Sequence, residues 1–419
     1  MLLLKCFGLF FGLVSGAQYS FTPVEQAPLY LSPEEFAVPN RYIITLKNNV
    51  GKNQGQFNQH IDFIRSLIKI TNFQQSEVIN FVEKVYDNVF YGYSASLDKS
   101  TLDFLRYSED IEYIEQDKYM ELDDVQPDSP WGLARISERD NYTPASQFNY
   151  NPNWGQGVNA YIFDTGINTT HVDFEGRAVF GIATPPLETE RDCTGHGTHV
   201  AGIVGSKTYG IAKKANLISV KVFFCNGTGL ASYFIAGINW ALKDHELKVN
   251  EAIKNKKQPP KAVANASITS ALSKTLNTAV ENAITKNMFI VKSAGNRSTD
   301  SCNYSPASSG LSLTVGAINR LSQKGVYSNF GKCVSMFAPG TAIPSTFVGS
   351  TTAIAHLTGT SMAAPHVCGV AAAIQSMSGA NPYDYGTLRK MILDKATKDV
   401  VLFPNNTANL LLYAKDFVK

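Results

Sequence analysis

Val158-Asn159-Ala160-Tyr161-Ile162-Phe163 runs into Asp164-Thr165-Gly166. A short apolar block that ends on an acid and a glycine reads as a strand buried on both faces, delivering a carboxylate to a loop. Outward from it, Leu217 to Phe224 and Met288 to Val291 are apolar runs of the same kind. Helical patterns separate them, at Ser232 to Leu242 and Leu276 to Ile284. Strands alternating with helices predict an α/β fold with a parallel sheet and helices on both faces. Function in such sheets sits in loops at the carboxyl ends of strands. Asp164 and Asn296 lie just past two of the runs. Residues 243–261 hold six Lys and three acids, which predicts an exposed insertion.

Towards the N-terminus the texture changes. Arg41-Tyr42-Ile43-Ile44-Thr45-Leu46 alternates like a strand, and Phe57, Ile61, Ile64, Leu67 and Ile68 recur at helical spacing. Val89 to Leu97 is strand-like. A short helix follows Asp98-Lys99-Ser100, and Ile111-Glu112-Tyr113-Ile114-Glu115 closes the series. This β-α-β-α-β order over about 41–117 predicts a small α+β domain. Residues 18–39 are Pro-rich and aperiodic, a loose arm. The polar stretch from Asp123 to Pro130 reads as a linker and a cleavage site.

Met1 to Ala17 carries one Lys, a short apolar block and small residues at its end, the pattern of a secretory signal peptide. The block is too short to be a membrane anchor, and no run in the chain's 419 residues approaches the ~20 needed to span a bilayer. Apolar residues make up 44%, which excludes a disordered or fibrous chain. Lys+Arg 37 against Asp+Glu 35 leaves no basic field that would make nucleic acid a partner. Cys6 would leave with the signal. Cys193, Cys225, Cys302, Cys333 and Cys368 remain, and export predicts disulfides among them. Seven Asn-X-Ser/Thr triplets, at Asn141, Asn168, Asn226, Asn265, Asn296, Asn303 and Asn405, fit the same route.

Three segments carry an acid, an imidazole and a hydroxyl. They are Phe163-Asp164-Thr165-Gly166, Gly195-His196-Gly197-Thr198-His199-Val200-Ala201-Gly202 and Gly359-Thr360-Ser361-Met362-Ala363-Ala364-Pro365-His366. A Ser hydroxyl needs a base at hydrogen-bond distance to become a nucleophile. His supplies one near neutral pH, and a buried carboxylate holds its tautomer. Ser361 opens a small-residue helix, whose N–H groups favour a developing oxyanion. His196 and His199 do not read as zinc ligands, since no His-Glu-X-X-His and no third ligand lies nearby. His199, His171, His356 and His366 read as structural. The chain order Asp164, His196, Ser361 is that of the subtilisins.

With Trp131-Gly132-Leu133-Ala134-Arg135-Ile136, Ser293-Ala294-Gly295-Asn296 and Asn303-Tyr304-Ser305-Pro306-Ala307, the chain resembles a subtilisin-like serine protease of the proteinase K type. The likeness runs from about Trp131 to Ser376. It implies that Asp164 orients His196, that His196 is base and then acid, that Ser361 is the nucleophile and that Asn296 donates to the oxyanion. A glycan on Asn296 would block that role, so Asn296 is expected to stay unmodified. The small domain resembles the family's inhibitory propeptide, a ferredoxin-like fold. The implied layout is a signal peptide at 1–17, a propeptide at 18–123 and a peptidase domain at 124–419. Aqualysin-like cysteine placement implies the bridges Cys193–Cys225 and Cys302–Cys333. Sequence alone leaves three pairings of those four open.

Further expectations follow from the resemblance. Substrate pairs as a strand with Gly227-Thr228-Gly229 and with Ser267-Ile268-Thr269-Ser270, where relatives have Ser-Leu-Gly-Gly. Thr269 and Ser270 in place of the glycines predict a narrower S1 pocket. Partners are polypeptide substrates and the chain's own propeptide as intramolecular inhibitor; the chain is expected to be a monomer in the secretory pathway, extracellular or vacuolar. No cofactor is required. Relatives hold a structural calcium with an Asp where this chain has Ser335, so that site is expected to be lost and calcium elsewhere is left open. The rival reading is a catalytically quiet binding protein that keeps its prodomain bound.

Overall fold

This computed structural model describes residues 26–31, 37–72, 78–87, 90–118, 124–126, 129–139, 143 and 147–418. Residues 1–17, read above as a signal peptide, the sequon at Asn141, all of 119–123 and residues 127–128 of the junction lie outside them. The chain divides into two compact units, Met1–Leu122 and Asp123–Lys419.

In the first unit, strands β1 (Leu29–Tyr30), β2 (Ala37–Leu46), β3 (Phe81–Tyr86), β4 (Gly92–Ser96) and β5 (Ile111–Lys118) form one sheet in the order β1-β5-β2-β4-β3. Helices α1 (Gln54–Thr71) and α2 (Lys99–Leu105) share its core. Phe57, Ile61, Ile64, Leu102 and Leu105 pack with Ile44, Tyr93 and Ile114. Each helix begins where a polar side chain stands in for the missing i−4 carbonyls. Asn53 Oδ1 accepts from the Gly55 and Gln56 amides, and Asp98 Oδ1 from the Thr101 amide at 2.7 Å.

Two expectations need correction. The arm at 18–39 is not all loose, because Leu29–Tyr30 pairs with β5 and β2 starts back at Ala37. That pairing uses backbone groups and needs no apolar alternation. The irregularity between Ala37 and Tyr42, with Asn40 at φ 59°, accommodates Pro39 where the pattern breaks. The β-α-β-α-β series also omitted β3. It is an edge strand with no buried residue, so its sequence lacks a core stripe.

The second unit is built on a nine-stranded sheet. Its strands are β6 (Val158–Asp164), β7 (Ala178–Ala183), β8 (Asn216–Lys221), β9 (Lys261–Ala266), β10 (Phe289–Ser293), β11 (Leu313–Ile318), β12 (Met336–Pro339), β13 (Thr397–Lys398) and β14 (Leu410–Leu411). The order is β13-β14-β12-β11-β10-β9-β6-β8-β7, parallel throughout except for the β13–β14 pair. Every residue of β6 is buried, as its continuous apolar run demands. Val158, Ala160 and Ile162 enter one core cluster and Tyr161 and Phe163 the other, so the two-residue period of the strand feeds both faces. Helices α3 (His196–Gly205), α6 (Thr360–Ser376) and α7 (Tyr385–Lys395) cover the first face. Helices α4 (Ala231–Lys254) and α5 (Lys274–Thr285) cover the second. Both Asp164 and Asn296 fall at or just beyond carboxyl ends of central strands.

The polar stretch at 243–261 is not an insertion. Residues 243–254 continue α4, with an Asp244–Lys248 pair one turn apart on a partly exposed face. Solvated helical turns carry no apolar stripe, which is why they read as a loop. At the start of the unit, Asp124–Gln126 pairs antiparallel with Phe148–Tyr150, so this part of the junction is a strand rather than a linker.

Candidate active site

Asp164 is the last residue of β6 and is fully buried. Its Oδ1 lies 2.7 Å from Nδ1 of His196, the first residue of α3, and also accepts the Thr165 amide at 2.8 Å. Two glycines permit this approach. Gly195, at φ 83°, turns the chain into α3 in a conformation that a side chain resists. A Cβ on Gly197 would stand 3.0 Å from Asp164 Cβ, so only glycine lets the helix come this close.

Asp192 ties the two elements together. Its Oδ1 accepts from Thr165 Oγ1 at 2.8 Å and from the Gly195 amide at 2.9 Å. Its Oδ2 accepts from the Thr198 amide at 2.9 Å and the Thr198 hydroxyl at 2.6 Å. One buried carboxylate thus caps α3 from outside the helix and fixes the end of β6. Burial alone would lower the His196 pKa. Asp164, by charge and hydrogen bond, and Asp192, by charge, outweigh it and raise the imidazole above its usual value. His199 differs. Burial pushes it down to about 4 despite bonds to the Ile343 and Ala355 carbonyls, so it stays neutral. His366 is likewise pushed down to about 4 by burial, its Nδ1 on the Met362 carbonyl.

Ser361 is the second residue of α6. No side chain of Gly359 caps this helix. Asn296 Oδ1 does so, accepting the Thr360 amide at 2.8 Å and the Thr360 hydroxyl at 2.9 Å. The same hydroxyl accepts the Gly295 amide at 3.0 Å. With Oδ1 so engaged, the Asn296 Nδ2 donor is turned outward, 3.2 Å from where a Cβ on Gly359 would be. Next to Ser361, Ser267 Oγ donates to the Ser361 carbonyl at 2.9 Å and accepts from Asn265 Nδ2 at 2.9 Å. Helices α3 and α6 pack directly on one another. Among the described residues, no hydrogen bond joins His196 to Ser361 Oγ, a link that often tightens only with substrate bound.

Gly227, Thr228 and Gly229 lie on an exposed loop closed by a Phe223–Gly229 bridge. Ser267 and Ile268 are buried, Thr269 is exposed and Ser270 half-buried. Phe223, Gly229 and Leu230 face Ile268, Thr269 and Ser270 across a small pocket of ≈ 60 Å³, so Gly229 at the end of the first stretch and the second stretch line one groove, while Gly227 and Thr228 lie outside it. Thr269 Cγ2 stands 3.5 Å from where a Cβ on Gly295 would be. Ser270 Oγ turns instead to the Ala271 and Ser305 carbonyls.

The structure joins Cys193 to Cys225 and Cys302 to Cys333, with Cα–Cα distances of 5.1 and 5.3 Å. Cys368 is free and buried, its thiol pushed up by burial. At Ser335, the hydroxyl accepts the Thr314 amide at 3.3 Å. Asp192, Thr165, Thr360 and the Ser267 hydroxyl escaped sequence reasoning in these roles. Only the position of Asp192, four residues before His196, could have hinted at its part.

The subtilase family signature matches residues 155–411, and that of peptidase inhibitor I9 matches 41–123. The chain belongs to the subtilase family. It is a serine endopeptidase made as a zymogen with its own inhibitory propeptide, and its substrates are polypeptides. It is 36% identical to "Subtilisin-like protease 8" of Arthroderma benhamiae over 410 residues, covering 92% of this chain and 84% of that one. Against "Alkaline protease 2" of Aspergillus fumigatus it is 36% identical over 414 residues, covering 92% and 83%. Cerevisin of Saccharomyces cerevisiae is 35% identical over 413 residues, covering 90% and 64%. Among solved structures, a cold-adapted subtilisin-like serine proteinase matches with TM-score 0.62 and 35% identity, over 68% of this chain and 98% of the other. The first two relatives and the solved structure are named as proteases, so the quiet binding protein finds no support.

Proposed function

We propose that the endopeptidase acts through Asp164, His196 and Ser361, with Asn296 and the Ser361 amide at the start of α6 as oxyanion donors. The 2.7 Å bond between Asp164 and His196 Nδ1 carries this reading, because it leaves Nε2 as the free acceptor. In the reaction His196 Nε2 takes the Ser361 proton as Oγ attacks the scissile carbonyl, and returns it to the leaving amine. The imidazolium formed in between is stabilised by the buried Asp164. The carbonyl oxygen gathers negative charge at the start of α6, where Asn296 Nδ2 meets it.

The groove between 227–229 and 267–270 would take substrate as an added strand, with backbone bonds for affinity and pockets for specificity. The Thr269 methyl beside Gly295 supports a narrowed S1 pocket that favours small or medium apolar P1 residues. Ser270, turned towards Ser305, contributes less than Thr269 to that narrowing. Self-cleavage falls between about Glu121 and Val125. The enzyme works as a monomer in the lumen of the secretory pathway, outside the cell or in a vacuole, and needs no cofactor.

The test is a serine-directed fluorophosphonate applied to the purified chain, beside Ser361→Ala. Wild type should split near residue 124 and label. The variant should stay full length apart from the signal and stay unlabelled. Efficient splitting of the variant in a protease-free host would sink the self-cleavage claim.

A further inference from the structure

The described sequons are not equivalent. Asn265 is fully buried in β9, and its Nδ2 is spent on Ser267, so a glycan there is incompatible with the fold. Asn296 has its Oδ1 locked on Thr360. Asn303 and Asn405 are exposed, but the hydroxyls of their triplets serve elsewhere. Ser305 Oγ donates to the Ser273 carbonyl, and Thr407 Oγ1 accepts the Gly331 amide. At Asn168 the side chain meets its own Thr170, yet Nδ2 donates to the Ser350 carbonyl at 3.1 Å. Asn226 alone combines the three features. It is exposed, and its Oδ1 accepts both the amide and the hydroxyl of Thr228, at 2.9 and 2.7 Å. Its Nδ2 donates to no described group.

We propose that Asn226 is an N-glycosylation site and that its glycan screens the substrate groove; this rests on the secretory reading above. The Asn226–Thr228 turn keeps the Thr228 hydroxyl on the acceptor side chain in the folded chain. The acceptor step is a transfer. Asn226 Nδ2 bonds to the anomeric carbon of an oligosaccharide carried on a lipid pyrophosphate. The carbon–oxygen bond breaks with its electron pair leaving on the phosphate, and the nitrogen gives up one proton to base. The loop is held in place afterwards. Cys225 is bridged to Cys193, its amide donates to Glu188 at 3.0 Å, and Glu188 pairs with the buried Lys221 at 3.3 Å. Asn226 therefore sits on a fixed loop between Phe223 and Gly229, both of which line the groove, so a glycan there is within reach of it.

The whole chain, expressed in a eukaryotic secretory host, is mapped by peptide mass after enzymatic glycan release in heavy-oxygen water. The expected result is the Asn-to-Asp mass tag at Asn226 and none at Asn265 or Asn296. Glycan at Asn168, Asn303 or Asn405 with Asn226 bare overturns the site assignment alone. A chain bare at every sequon overturns it together with the secretory reading. Screening is read from kcat/KM. Enzymatic trimming of the wild type, and Asn226→Gln separately, should each raise the rate on a folded protein severalfold and leave a short peptide unchanged. Equal effects on both substrates, or none on either, overturn the screening role.

Discussion

At the scale of single residues, the unusual feature is how much of the site hangs on Asp192, which touches no reacting atom. It holds Thr165 at the end of β6 and the first turn of α3 with both of its oxygens. It also adds negative charge near His196. A general base must be neutral to accept a proton. With the imidazole pKa raised, activity should be lost as pH falls through a value above the usual 6.5. Asp192→Asn removes the charge, so the acid limb of kcat/KM should move to lower pH while kcat falls from lost positioning. An unmoved limb would refute the electrostatic part. Asn296→Ala should lower kcat by ~10²–10³ with KM little changed, the pattern of a donor used only in the transition state. A loss confined to KM would assign Asn296 to ground-state binding instead.

Among the elements, the stretch after β9 is the one proposed above to set specificity. Thr is β-branched and stiff, so a methyl lodged beside Gly295 cannot swing away freely. Replacing Thr269 and Ser270 by Gly together should enlarge S1 and raise the rate on aromatic P1 residues. One methylene-sized contact shifts preference only ~10–200-fold, so the change should be graded. A P1 peptide library run on both enzymes checks it. Aromatic P1 preferred already by wild type, with no gain in the double variant, would discard the narrowed pocket.

Across the whole molecule, the two disulfides act on a peptidase unit whose sheet already buries two cores. Each closes a loop of roughly 30 residues, worth ~3 kcal/mol in the chain-entropy picture. Reducing agent should therefore lower the Tm of the Ser361-blocked mature enzyme without abolishing its fold. The Cys193–Cys225 bridge also fixes the loop that carries Asn226 and walls the groove. Its loss should raise KM for extended peptides more than it lowers kcat for a minimal ester. Equal damage to both would mean that the bridge serves stability alone.

The amino-acid sequence by itself determined the α/β class, because a buried parallel strand such as Val158–Asp164 must be apolar throughout. The Asp164, His196, Ser361 order could be read too, since each stands in a short distinctive segment, and the structure adds the Asp164–His196 bond. The edge strand Phe81–Tyr86 and the outer turns of Ala231–Lys254 were not legible, because solvated backbone leaves no apolar signature. The role of Asp192 was hidden as well. A buried acid announces itself only once its donors are assembled, and here they come from residues 165 to 198. The tertiary structure alone decided which of the described sequons pairs an exposed asparagine with the hydroxyl of its own triplet. The triplets look alike in sequence, and what separates Asn226 from Asn168 is exposure and a carbonyl, that of Ser350, supplied from 182 residues away.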